Sequence, residues 1–95
     1  MTRHEIQLGR MILAGFIEDE RDEKYLKYNI SRDALWPVWE RFRDLKPISE
    51  VPDIIQHCKY IDRIARSLAY ESIEKTFSLL VEAVEWYQKM KGEKA

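Results

Sequence analysis

From Pro52 to Met90 the apolar residues recur at helical spacing almost without interruption. A single rod over that span would reach about 58 Å at 1.5 Å rise per residue. A compact domain of this chain length has a radius of gyration of only about 12 Å. The rod must therefore break, or lie covered by partner chains in an oligomer. The first run is Ile54, Cys58, Ile61, Ala65 and Leu68, and the second is Ile73, Phe77, Leu80, Val81, Val84 and Tyr87. Between them stands Tyr70-Glu71-Ser72, where Ser72 can accept a hydrogen bond from the first free N–H groups of a new helix. The pattern predicts a break there. Asp62 to Arg66, Glu71 to Lys75 and Glu85 to Lys89 place acid before base four residues apart, the orientation that supports a helix.

Only three glycines and three prolines punctuate the whole chain, which favours helices over turn-rich β structure. Thr2 followed by Glu5 reads as a capping box. Leu8, Met11, Ile12, Gly15 and Phe16 then form one helical face, with Ile6, Leu13 and Ile17 beside it. A helix so broadly apolar needs cover on more than one side, from its own domain or from a partner. Glu18 to Glu23 holds five acids and Arg21 and reads as a solvated linker or a frayed helix end. In Lys24–Ile30, Leu26, Tyr28 and Ile30 alternate with polar residues, the period of a short strand. Ser31 or Asp33 can cap a second helix with the stripe Leu35, Val38, Phe42 and Leu45. Pro37 belongs in or near its first turn, or else kinks it. Pro47–Pro52 reads as a linker, with Pro52 placed for the first turn of the third helix.

The fold expected is mostly α: a small bundle of three to four helices, with a minor short strand near residues 24–30 left open. Its 95 residues suffice for one domain, 1–95, with a modest core, a size at which association often adds stability. Apolar residues at 45% exclude a disordered chain. Sixteen basic and 17 acidic residues give a net charge of -1, which disfavours a nucleic-acid partner. The single Cys58 fits a reducing compartment. Met1–Ile17 is interrupted by Glu5, Gln7 and Arg10, so it lacks the apolar core of a signal peptide. The expectation is a cytoplasmic chain with no membrane span.

The residues offer little chemistry. The available metal ligands are His4, His57 and Cys58, and neighbours on a helix diverge by about 100°, so His57 and Cys58 do not face one ion. Cys58 falls on the apolar stripe and reads as a buried small hydrophobe. Ser31, Ser49, Ser67, Ser72 and Ser78 lie in no nucleophile-elbow context, and there is no glycine-rich phosphate loop. The pairs Glu71 and Glu74, and Glu82 and Glu85, belong on solvated faces. No catalytic residue, metal site or cofactor is expected. The strongest polar feature is a stripe on the third helix: Gln56, Lys59, Arg63, Arg66 and Tyr70. It reads either as a plain charged face or as an anion site for Lys59, Arg63, Arg66 and Tyr70, able to take a small anionic nucleotide when copies converge in a homo-oligomer. Trp36, Trp39, Trp86 and Tyr87 are candidate interface residues, with a tryptophan-rich core as the alternative.

Two segments resemble small helical proteins of unknown function encoded by phages of gut Bacteroidetes-type bacteria. Tyr28-Asn29-Ile30-Ser31-Arg32-Asp33-Ala34-Leu35-Trp36-Pro37-Val38-Trp39-Glu40 is similar to a family stretch in which an aromatic-rich helix start precedes Pro-Val-Val-Glu. Ser72–Phe77 through Val81–Tyr87 is similar to the family's closing helix with its terminal Trp-Tyr, and Ile12–Phe16 to its first helix. Together these cover about half the chain. Many of those proteins look β-stranded before the last helix, whereas Ile54–Leu68 here reads as helix. The resemblance implies a phage or mobile-element origin and supplies no activity. It motivates an expected function as a non-enzymatic accessory protein that binds, either inhibiting a host or defence protein or sequestering an anionic ligand. The alternative is a structural or protein–protein interaction module.

Overall fold

The computed structural model describes residues 2–19, 31–45 and 53–93. They form four helices, α1 (Arg3–Phe16), α2 (Arg32–Arg43), α3 (Ile54–Tyr70) and α4 (Ile73–Glu93). No strand occurs among them. The strand expected at 24–30 and the linkers around Glu20–Glu23 and Pro47–Pro52 lie outside the described residues. The chain is a small helical bundle with a radius of gyration of 12.8 Å.

α4 is the centre of the bundle and packs against all three other helices, while α2 also meets α3. The reason is its composition. Buried Thr76, Phe77, Leu79, Leu80, Val81, Ala83, Val84 and Tyr87 sweep about 200° of the helix at 100° per residue, twice the arc that a helix covered on one side needs. On the uncovered arc stand Ser78, Glu82, Glu85 and Lys89, all exposed.

Each helix starts on a side chain that accepts one of its free N–H groups. The Thr2 hydroxyl accepts from the Glu5 N–H at 3.1 Å, Ser31 from Ala34, Asp53 from Gln56 and Ser72 from Lys75. The break at Tyr70–Ser72 is present. Glu71 turns to an extended backbone, φ -113° and ψ 176°, which ends α3 so that α4 can fold back on it. Of the second-helix cap candidates, Ser31 is the one used. Pro37 is the sixth residue of α2, one turn beyond the position where its missing N–H costs nothing. The bond lost is the one that Asp33, an exposed residue, would have accepted.

α1 ends in a Schellman arrangement. The Asp19 N–H reaches the Ala14 carbonyl at 2.8 Å and the Glu18 N–H reaches Gly15 at 3.3 Å. Glu18 sits at φ 57°, the left-handed conformation that such a terminus needs and that glycine adopts most readily.

Two of the expected faces are correct and two are rotated. Leu35, Val38, Phe42 and Leu45 of α2 are all buried, as are Phe77, Leu80, Val81, Val84 and Tyr87 of α4. On α1 the face turned inward is Gly9, Leu13 and Phe16, about 100° round the helix from the expected one. Leu8, Met11 and Gly15 face out. Gly9 explains the rotation. A Cβ there would lie 2.6 Å from the tip of the Phe77 ring and 3.0 Å from a Val81 methyl, so only glycine lets α1 approach α4 this closely. On α3 the inward residues are His57, Ile64 and Ser67, with Tyr60, Ile61 and Leu68 half-buried. Ile54, Cys58 and Ala65 of the expected stripe are exposed. Cys58 is thus a surface thiol and not a buried hydrophobe.

The polar groups drawn inside on α3 each have a partner. The Phe42 carbonyl can only accept, so the His57 Nε2 at 2.7 Å carries a proton and donates to it. The Phe42 and His57 rings also meet edge-on at 4.8 Å. The Ser67 hydroxyl lies 2.8 Å from that of Thr76, and Thr76 in turn donates to the Ser72 carbonyl at 3.1 Å. This fixes Ser67 as the donor and ties α3 to the start of α4.

Candidate functional surface

A concave surface runs between α1 and α4. One part, about 440 Å³, is walled on α1 by Glu5, Leu8, Gly9 and Ile12 and on α4 by Ser78, Val81, Glu82 and Glu85. A second part of about 510 Å³ shares Ile12, Glu82 and Glu85 with the first and extends to Tyr60, Trp86, Gln88 and Lys89. The two make one open groove. Its floor is apolar because Gly9 brings the two helices together there. Leu8 on its α1 wall is 45% exposed, and Met11, one turn further along α1, is 55% exposed. Glu5 on one wall and Glu82 and Glu85 on the other make it acidic.

At one end of the groove Tyr60 and Trp86 form an aromatic wall. Tyr60 packs on Trp86 with centroids 5.4 Å apart and meets Phe42 edge-on at 6.3 Å. The Tyr60 phenol is pushed above its ordinary 10.0 chiefly by burial and then by the Glu82 carboxylate, with Gln56 and Arg63 acting the other way. It is therefore a neutral hydroxyl near neutral pH, able to donate as well as accept.

The residues expected to bind an anion stand elsewhere. Lys59, Arg63, Arg66 and Tyr70 lie on the outer, exposed side of α3, where Arg66 pairs with Asp62 at 3.4 Å and Tyr70 is 86% exposed. One chain presents these cations on a convex face. An anion pocket built from them needs a second copy.

The four aromatic candidates divide. Trp39 and Tyr87 are buried, Tyr87 edge-on to Phe16 at 5.9 Å. Trp86 is half-buried on Tyr60. Trp36, one residue off the buried stripe, is 49% exposed. Of the possible metal ligands, His4 and Cys58 are exposed on α1 and α3, and His57 is engaged inside. Among the described residues no group of three or more His, Cys, Asp and Glu side chains is placed to hold a metal ion. Of the serines, Ser31 and Ser72 cap helices, Ser67 is buried, Ser78 lines the groove, and Ser49 lies outside the described residues. Among the described residues no helix is long and apolar enough to cross a membrane.

Sequence reasoning named most groove residues without assembling them. Leu8 and Ile12 were placed on the apolar face and Glu82 and Glu85 on a solvated one. What it lacked was the contact at Gly9 that makes them neighbours. No family model, curated protein or solved structure matches the chain.

Proposed function

We propose that the chain is a non-enzymatic binding protein that acts by docking on another protein. In line with the resemblance of its second and last helices to phage-encoded proteins, we take it to be a phage or mobile-element accessory protein. Its partner is then a host or defence protein of the bacterial cytoplasm. The observation that carries this reading is the exposure of Leu8 on the wall of an apolar-floored groove, with Met11 exposed one turn further along α1. Large apolar side chains next to a concavity mark protein contact surfaces more often than isolated ones do.

The test is a photo-crosslinking amino acid in place of Met11, with the protein expressed in a bacterial host. The expected result is a stoichiometric adduct with one heterologous protein, lost when Leu8→Asp is added while helix content is retained. The alternative is a structural module that assembles copies of itself. It is favoured by the half-exposed Trp36, since tryptophan is enriched among residues that dominate interfaces. Adducts joining only copies of this chain, lost with Trp36→Ala, are its expected outcome. No adduct of either kind would sink both readings.

A further inference from the structure

We propose that the groove between α1 and α4 receives a basic amphipathic helix of the partner protein. This rests on the protein-binding reading above and specifies the occupant. The first argument is backbone hydrogen bonding. Both walls are α-helices, whose N–H and C=O groups are paired within the helix, so the groove offers side chains but no sheet edge. An extended peptide laid there would leave its own backbone groups without protein partners. A helix brings them already paired.

The second argument is length and pattern. From Ser78 to Lys89 the α4 wall spans twelve residues, about 17 Å or three helical turns at 1.5 Å rise per residue. Leu8 and Ile12, one turn apart on α1, face Val81 across the floor. That row accepts apolar side chains spaced at three and four residues. Tyr60 and Trp86 close one end with aromatic surface.

The third argument is charge. Carboxylates stand on both walls, Glu5 on α1 and Glu82 and Glu85 on α4, and Lys89 is the only base among the described lining residues. A helix whose apolar stripe enters the floor places its flanking positions beside those carboxylates. Lysine and arginine there are attracted, and glutamate or a phosphate is repelled. The partner segment is therefore a helix with a narrow apolar stripe flanked on both sides by cations.

The probe is a fluorescent peptide of about 18 residues built from Leu and Lys at helical spacing, long enough to be helical when bound. A second peptide has the same composition in strict alternation, and a third has Glu in place of Lys. By anisotropy the helical Leu/Lys peptide is expected to bind at least about tenfold more tightly than either control. Its affinity should fall with added salt. The same margin should be lost in Glu82→Lys/Glu85→Lys and in Leu8→Asp, with unchanged melting. Lys59→Glu/Arg66→Glu, on the exposed outer side of α3, should bind as the unaltered chain does. Equal binding of the alternating peptide would show attraction by charge alone and overturn the proposal. So would indifference to Glu82→Lys/Glu85→Lys, or sedimentation showing a second copy in the groove that the peptide does not displace. If the Met11 crosslink captures a host protein but the helical peptide does not bind, the protein-binding reading stands and the basic helix is excluded.

Discussion

The two flanks of α4 are held by different forces. Toward α1 the contact is close apolar packing: Gly9 against Phe77 and Val81, Leu13 fully buried, Phe16 edge-on to Tyr87. Toward α3 apolar packing is joined by a directional bond, Ser67 to Thr76, and α3 is itself tied to α2 by His57 to the Phe42 carbonyl and by the Arg32 guanidinium on the carbonyls of Leu68 and Glu71. Arg32 is the first residue of α2, yet it caps the C-terminus of α3, which has no basic residue in its own last turn. Dispersion and burial do not depend strongly on angle, so an apolar seam sets distance more than orientation. Hydrogen bonds between buried groups set orientation, because a misplaced donor loses its partner and regains no water. The α3 flank is locked, and the α1 flank is a fitted seam with a groove along its rim.

The sharpest way to break this comparison is to empty the apolar seam. Phe77→Ala should cost about 3–5 kcal/mol, the range for deleting a buried aromatic ring, read by urea unfolding. Next in size, Thr76→Val should cost about 1–3 kcal/mol because it leaves the Ser67 hydroxyl buried without an acceptor. Adding Ser67→Ala should recover part of that loss. Strict additivity of the two in a double-mutant cycle would remove the directional lock from the account.

Arg32→Gln should lower stability by about 1 kcal/mol through loss of a charged cap at a helix C-terminus. The loss should shrink at high salt, whereas that of Phe77→Ala should not. A salt-insensitive Arg32→Gln would place its role in packing. The two glycines of α1 sharpen the comparison most economically. Gly9→Ala drives a Cβ into a ring with no room to move and should destabilise by about 1–2 kcal/mol after its gain in helix propensity. Gly15→Ala meets nothing within 4 Å and should stabilise by about 0.5–1 kcal/mol. The same sign for both would mean that Gly9 is not where α1 and α4 touch.

The smallest effect belongs to Tyr60. Its folded-state phenol is raised above the unfolded value, so its contribution is fully present below pH 10.0 and is lost as pH climbs beyond it toward the folded value. Tyr60→Phe should flatten the alkaline limb of the melting curve. Glu82→Gln should move the phenol's absorbance titration to lower pH.

The stripes of α2 and α4 were legible because every buried position on them, Thr76 and the alanine apart, is a large hydrophobe. Counting apolar residues finds such a face directly. The same counting misplaced α1 and α3. On α1 it selected Leu8 and Met11 and passed over Gly9, since a glycine has no hydrophobicity to count. On α3 it selected Ile54, Cys58 and Ala65 over His57 and Ser67, because polar side chains enter a core only when a partner waits there. The partners, Phe42 and Thr76, belong to other helices. Arg32 as a cap for α3 was hidden for the same reason, being 36 residues from Leu68.

The amino-acid order alone determined three features of this protein. It is a small helical bundle, its long C-terminal pattern breaks before Ser72, and Thr2 opens the first helix. These depend on local chemistry: a cap and its N–H lie three residues apart, and helical period is a property of one segment. Which sides of α1 and α3 turn inward was decided only by the tertiary structure, and with them the placing of Leu8 and three carboxylates around one groove. A helix's orientation depends on what it meets, through the absent side chain at Gly9 and the waiting acceptors at Phe42 and Thr76.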